Sequence, residues 1–378
     1  MELAGLSRDL DDYLNSNYVH VPRTLVEAVA FSLRYRDIAR YVEQKLCIVR
    51  TLVNRCDAIT TAIEGIGGDQ RFSAVQSVIR EVCRNPILRT LRSMSVDGRI
   101  DRLHLRLLDQ SVRVDLRNLL YTLQSALGDL DAFASLAHAA DILGWTFPQI
   151  DTSEGAAVVI EGLRHPLLPN GSTNDIMLSP HDRVMFVTGP NMAGKSTMMR
   201  ALGLGVYFAH LGLPVAAATA RIPLTDVLIS SMTAHDRIST GTSFYLSEVR
   251  RVKTVVAAVR NGAVVVALLD EVFRGTNVKD AVDATQLLVA GLARAGCGLF
   301  VIASHLLEVA ETIAVLPGIS TWCMHVGEGA EGLNFSYRLQ RGVSRVRLGV
   351  VLLEAEGVVQ MLRELGSGRP HEGETSGE

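Results

Sequence analysis

The sequence predicts an α/β fold with a mainly parallel sheet, preceded by an all-helical domain. Apolar residues recur at three- and four-residue spacing through TLVEAVAFSLRYRDIARYVEQKLCIVRTLV and the stretch ending SALGDLDAFASLAHAADIL, with few strand signals over residues 1–150. Past GWTFPQIDTSEG, where Gly, Pro and polar residues break that period, short apolar runs alternate with helical patterns. VVIEGL (158–163), RVMFVTG (183–189), AVVVALLD (263–270) and GLFVIAS (298–304) read as strands, and KDAVDATQLLVAGLARAG as an amphipathic helix. Strand and helix in alternation imply a parallel sheet over 151–365. The small, polar stretch 366–378 is expected to be a disordered tail.

Composition narrows the classes. A length of 378 residues suits two domains, and 48% hydrophobic residues supply a packed core. A net charge of −3 excludes a strongly basic coat while leaving room for a local basic patch. Five scattered cysteines without a C-x-x-C pair suit reduced thiols, as expected of a cytoplasmic protein. The acidic N-terminus, MELAGLSRDLDDYL, does not resemble a secretory signal. Residues 201–220 carry no formal charge, but His210, three glycines and Pro214 point to a buried helix and its turn rather than a membrane span.

The run Gly189-Pro190-Asn191-Met192-Ala193-Gly194-Lys195-Ser196 fits G-x-x-x-x-G-K-[ST], with Thr197 following, and sits between a predicted strand and a predicted helix. In such a loop the glycines let backbone N–H groups close around phosphates, and the helix start adds a positive dipole end. Lys195 is placed to reach the β- and γ-phosphates and Ser196 to ligate Mg²⁺. Of 37 basic residues only four are lysines, and one stands here, where a compact ammonium fits and a planar guanidinium would crowd the phosphates.

Asp270 and Glu271 end an apolar run about 75 residues further on. A carboxylate at a strand tip beside the loop can hold Mg²⁺, and the next can orient and deprotonate a water. A third apolar run ends in Ser304-His305, where a histidine can sense the γ-phosphate. HDRISTGTSFYLSEVRRV, from His235, offers a second Gly-Ser helix start, a further anion site. One nucleotide does not need two such sites. A pair makes sense if the second closes on a partner's nucleotide, as in ABC-type ATPases.

GPNMAGKST, STGTSFYLSE, LLDEVFRGTN and ASHLLE, in this order and spacing, resemble the ATPase domain of the MutS family of mismatch-repair proteins. The likeness runs from about Leu127 to about Gly357. It implies a P-loop ATPase domain after a helical, lever-like one, with ATP and Mg²⁺ held by 189–197 and Asp270. It also implies Glu271 as catalytic carboxylate, His305 as switch histidine and Ser243 as the residue offered in trans across a homodimer. Arg274 to Asn277 would line the dimer seam, and DNA would be the partner, in repair or recombination.

Three departures stand out. Ala193 replaces the second glycine of a Gly-Gly pair. Gly171-Ser172-Thr173-Asn174-Asp175-Ile176 lacks the expected adenine-stacking aromatic. The Phe-x-Glu wedge that reads mismatches occurs nowhere, and residues 1–126 are few for the domain presenting it, so a shortened, divergent member is expected.

Between Arg84 and Arg117 stand eight arginines and four aspartates, with Arg99, Arg102, Arg106, Arg113 and Arg117 on one face of a continuous helix. That face is either a solvated surface or a stripe contacting phosphates. Two other readings stay open. A transporter's nucleotide-binding subunit would carry an L-S-G-G-Q turn, which is absent. An ATP-gated protein-interaction switch would not bind DNA.

Overall fold

The computed structural model describes residues 2–16, 36–63, 70–94, 102–190, 192–232, 244–329, 332–344, 353–354 and 356–366. It divides into two compact units, Met1–Ala137 and His138–Glu378. The first is built from α1 (Glu2–Asn15), α2 (Arg36–Ile63), α3 (Gln70–Arg84), α4 (Pro86–Ser93), α5 (Arg102–Gln110) and α6 (Arg117–Leu143), within which the division falls. Amphipathic spacing gives each helix a buried stripe: Leu46, Val49 and Val53 on α2, Val75, Ile79 and Val82 on α3, and Leu120 and Leu123 on α6. Asn85 turns the α3–α4 corner. Its side chain accepts from the amides of Ile87 and Leu88, and Pro86 supplies a first helical residue that needs no donor.

The helix through Arg102–Arg117 is not continuous. Ser111–Asp115 form a π-helical turn between α5 and α6, so side chains beyond it leave the positions that a 3.6-residue period assigns. Arg113 therefore does not join a solvent-facing stripe. It is 6% exposed, and its Nε and Nη2 donate to the two oxygens of Asp109 at 2.9 and 2.6 Å. Asp109, 1% exposed, also accepts from the Tyr13 hydroxyl at 2.5 Å. Arg117 donates to Asn15 Oδ1 at 2.9 Å. Arg99 and the side chains of Arg102 and Arg106 lie outside the described residues. Arg117 is exposed, and further exposed arginines stand on α3 and α4, which hold Arg71, Arg80, Arg84, Arg89 and Arg92 against the single acidic residue Glu81.

The second unit is mixed α/β with two sheets. The larger has the order β10 (Gly332–Arg341), β9 (Ile319–Gly329), β4 (Val184–Thr188), β8 (Leu299–Ala303), β7 (Val265–Asp270) and β6 (Val227–Ser231). Every pairing from β9 to β6 is parallel, and β10 closes one edge as an antiparallel hairpin. The smaller sheet orders β1 (Gln149–Asp151), β5 (Thr219–Pro223), β2 (Val158–Leu163) and β3 (Asn174–Leu178). The strand VVIEGL belongs to this sheet and pairs antiparallel on both sides.

β4 and β8 are buried throughout, and β7 up to its last residue. Their side chains alternate between two cores, which is why they read as unbroken apolar runs. Met185, Val187, Leu268 and Val301 face a layer formed by α7 (Lys195–His210) and the smaller sheet. Phe186, Ala267, Leu269 and Phe300 face α8 (Phe244–Arg260), α9 (Val278–Ala293) and α10 (Leu307–Ile313). A last helix, α11, spans Val358–Gly366. Among the described residues no helix is long and apolar enough to cross a membrane.

The Asp109–Arg113 pair sets a stability test for the helical unit. Asp109→Ala leaves a buried guanidinium without its counter-charge and should cost about 3–5 kcal/mol in urea denaturation. An unchanged midpoint would mean that the pair is solvated.

Candidate functional site

Three strand ends build the site. β4 runs straight into the 189–194 loop, whose Gly189 (φ 141°), Met192 (φ 74°) and Gly194 (φ 99°) occupy left-handed backbone before α7 begins at Lys195. Gly194 has a second reason to lack a side chain, since a Cβ there would lie 3.1 Å from the Tyr337 ring. Ala193 is 1% exposed and belongs to the core beneath the loop, so its methyl group is absorbed by packing.

Lys195 is 4% exposed. Its ammonium donates to the carbonyls of Gly189 at 2.6 Å and Pro190 at 3.0 Å, and stands 3.9 Å from Glu271 Oε1. Burial pulls its pKa down to about 8, opposed by the neighbouring Asp270 carboxylate and assisted by Arg274. Ser196 donates a short hydrogen bond to Asp270 Oδ2 at the tip of β7. Among the described residues, Asp270 Oδ1 is buried with no hydrogen-bond partner. A hydroxyl and a carboxylate with one uncommitted buried oxygen form a hard-oxygen pair of the kind Mg²⁺ takes, its other ligands coming from water and phosphate. No cluster of three or more His, Cys, Asp or Glu suited to a metal occurs among the described residues.

Glu271, 8% exposed, follows in left-handed backbone (φ 49°), its amide donating to Ala303 O at 2.9 Å. Its carboxylate is ion-paired with Arg274 and lies 3.8 Å from His305 Nδ1. Burial, then Arg274 and Lys195, lowers the His305 pKa and keeps the ring neutral at pH 7. Ser304 fixes the turn before it, its amide donating to Val187 O at 3.0 Å and its hydroxyl accepting from the Leu306 amide.

Beside His305, the loop and the two carboxylates open onto a cavity of about 910 Å³. Lys195, Ser196, Asp270 and Glu271 form one part of its wall, and Arg164, His165, Leu168, Met324 and Tyr337 line it further on. An aromatic side chain does line the cavity, Tyr337, and it comes from β10 rather than from the turn before the loop. It sits at φ 55° in an irregularity between Phe335 and Leu339, stacked on Phe335 at 6.1 Å. The 172–174 turn pins it from the other sheet. Asn174 Nδ2 donates to Tyr337 O, Asn174 Oδ1 accepts from the Leu339 amide, and Ser172 Oγ donates to Ser336 O. No local signal near the loop reveals Tyr337, because strand pairing distant in sequence delivers it.

Of the residues singled out from the sequence, Lys195, Ser196, Asp270, Glu271 and His305 thus converge. Thr197 stands in the first turn of α7 and also lines the cavity. Asn191 and Ser243 lie outside the described residues.

Residues 185–364 match the family model for MutS domain V. The chain is 34% identical over 245 residues to the DNA mismatch repair protein MutS of Ruminiclostridium cellulolyticum, covering 62% of this chain and 28% of that protein. It is 33% identical over 252 residues to MutS of Symbiobacterium thermophilum, covering 64% and 28%. To MutS of Aquifex pyrophilus it is 30% identical over 236 residues, covering 61% and 27%. The chain thus spans little more than a quarter of the length of these relatives. With the fold described above, these similarities identify residues 185–364 as a domain of the MutS domain V family.

Proposed function

We propose that this chain is a MutS-type ATPase that couples ATP-driven closure of a dimer to DNA binding, in repair or recombination. The convergence of Lys195, Ser196, Asp270 and Glu271 on one cavity, with His305 beside Glu271, carries the reading. ATP would lie with its phosphates in the 189–197 loop and its base against Tyr337. Lys195 exchanges its two carbonyl partners for phosphate oxygens. Ser196 and Asp270 hold Mg²⁺, which when bound neutralises charge on the β- and γ-phosphates. Glu271, released from Arg274, accepts a proton from the attacking water, and neutral His305 hydrogen-bonds near the γ-phosphate.

Ser243, at the head of α8, is read as the group given to the partner's γ-phosphate, which makes two copies of the chain the working unit. For DNA, the exposed arginines of α3 and α4 offer a phosphate-contacting surface in place of the stripe lost with Arg113. Such contacts position a duplex but carry no base information. The relatives are named as mismatch-repair proteins, yet this chain holds no Phe-x-Glu wedge.

Lys195 sets the pH dependence of ATP binding. The protonated form meets the phosphates and bound phosphate favours its proton, so affinity is full below the free-site pKa of about 8 and declines above it. ATP should bind about ten-fold more weakly at pH 9 than at pH 7, by calorimetric titration, and Lys195→Ala should bind weakly at both. A flat profile for the natural chain would remove Lys195 from the phosphates.

Glu271→Gln should bind ATP normally but trap it, with single-turnover hydrolysis slowed by about 10² to 10⁴. Turnover at the normal rate would take Glu271 out of its role.

DNA binding should be salt-sensitive and nearly indifferent to a G·T mismatch. Arg80→Ala with Arg84→Ala should lower the slope of log affinity against log salt by about 2. A mismatch preference that survives higher salt would show that the chain reads bases.

A further inference from the structure

Glu248 is a buried carboxylate used by none of these steps. It lies on α8, just over one helical turn from its start, and is 6% exposed. Its Oε2 accepts the Gly275 amide at 3.3 Å. Burial outweighs backbone hydrogen bonding and the nearby Arg274 and Arg251 charges, so its pKa is raised. A second tie runs parallel to the first. Tyr245, also on α8, meets Phe273 with ring centroids 6.1 Å apart.

Both ties end on the turn that follows β7, which holds two non-glycine residues in left-handed backbone, Glu271 at φ 49° and Phe273 at φ 66°. Such a conformation persists only where surroundings over-determine it. Backbone bonds along β7 fix the turn's near end, with the Glu271 amide on Ala303 O. At its far end the Gly275 amide donates to the Glu248 carboxylate. A carboxylate is acceptor-only, so either oxygen can take that donor, whereas an amide offers one acceptor and a competing NH₂ group. Arg274, the neighbour of Gly275, reaches back with its guanidinium to Glu271.

We propose that Glu248 is a positioning residue for hydrolysis: by holding the Gly275 amide from α8 it sets where the Glu271 carboxylate stands and when Arg274 releases it. The inference rests on Glu271 being the catalytic carboxylate. It adds that α8, which follows directly on the Gly-Ser stretch containing Ser243, bears on the same chain's Glu271 through Glu248.

The test compares Glu248→Ala, Glu248→Gln and Glu271→Gln with the natural full-length chain, measuring kcat and KM for ATP hydrolysis, the Kd of a fluorescent ATP analogue, and thermal melting. Glu248→Ala should lower kcat by about 10- to 100-fold, the scale of a misplaced catalytic group, while the analogue's Kd stays within about two-fold. Glu248→Gln, which keeps one acceptor, should recover part of the loss. Should Glu248→Ala not fold, Glu248→Gln decides alone: a reduced kcat with unchanged Kd supports the role, and an unchanged kcat overturns it. A kcat loss matched by an equal loss of nucleotide binding also overturns it, since Glu248 would then support the fold of the whole site. If Glu271→Gln traps ATP while both Glu248 variants turn over normally, this inference alone falls. If the natural chain does not hydrolyse ATP, or Glu271→Gln hydrolyses it at the normal rate, the catalytic reading falls and takes this one with it.

Discussion

The site depends on three parallel strands ending at one level. Val187 on β4 and Asp270 on β7 both lie opposite Ala303 of β8, so the register delivers the loop, the two carboxylates and the histidine to one edge of the sheet. Two backbone bonds just beyond the strands extend the alignment into the functional turns, from the Ser304 amide to Val187 O and from the Glu271 amide to Ala303 O. A shift of one residue in any ladder would turn that strand's side chains to the opposite core. Such a slip would also carry Asp270 away from Ser196. The register is therefore held by burial on both faces of β4, β7 and β8, which makes the packing of the domain and the geometry of the site one constraint.

Charge within that edge is balanced internally. Lys195 rests on two carbonyls of its own loop, and Glu271 rests on Arg274, with Lys195 and His305 within 4 Å. Each of these buried charges thus has a partner within the site before any ligand arrives. Replacing those partners costs less than stripping bare ions from water, which is how a buried site can stay both folded and receptive.

The parts legible in the sequence are those whose chemistry is local. The glycine-framed loop with Lys195, the Asp270-Glu271 pair after an apolar run and His305 after another each declare themselves within a few residues. The antiparallel smaller sheet did not, because short strands such as NDIML and TARIP gain their identity from distant partners. Tyr337 was hidden for the same reason: its place in the cavity wall depends on Asn174, more than 160 residues earlier in the chain. The burial of Arg113 is illegible for a different cause. A helical wheel assumes an unbroken period, and Ser111–Asp115 break it. A buried arginine with a matching aspartate four residues before it looks, on paper, identical to an exposed one.

That π turn has a consequence for the helix after it. A π turn holds more residues per turn than an α turn, so the segment acts as a phase shifter between α5 and α6. Each residue advances an α-helix by about 100°, and dropping one from Ser111–Asp115 would rotate the whole of α6 by that angle about its own axis. Leu120, Leu123 and Leu127 share its buried stripe, and the rotation would carry all three off it together. A substitution at one of those leucines removes one contact, whereas a single deletion upstream misaligns the entire seam. In the helical unit, length between Gln110 and Arg117 is therefore less negotiable than the identity of most residues that fill it.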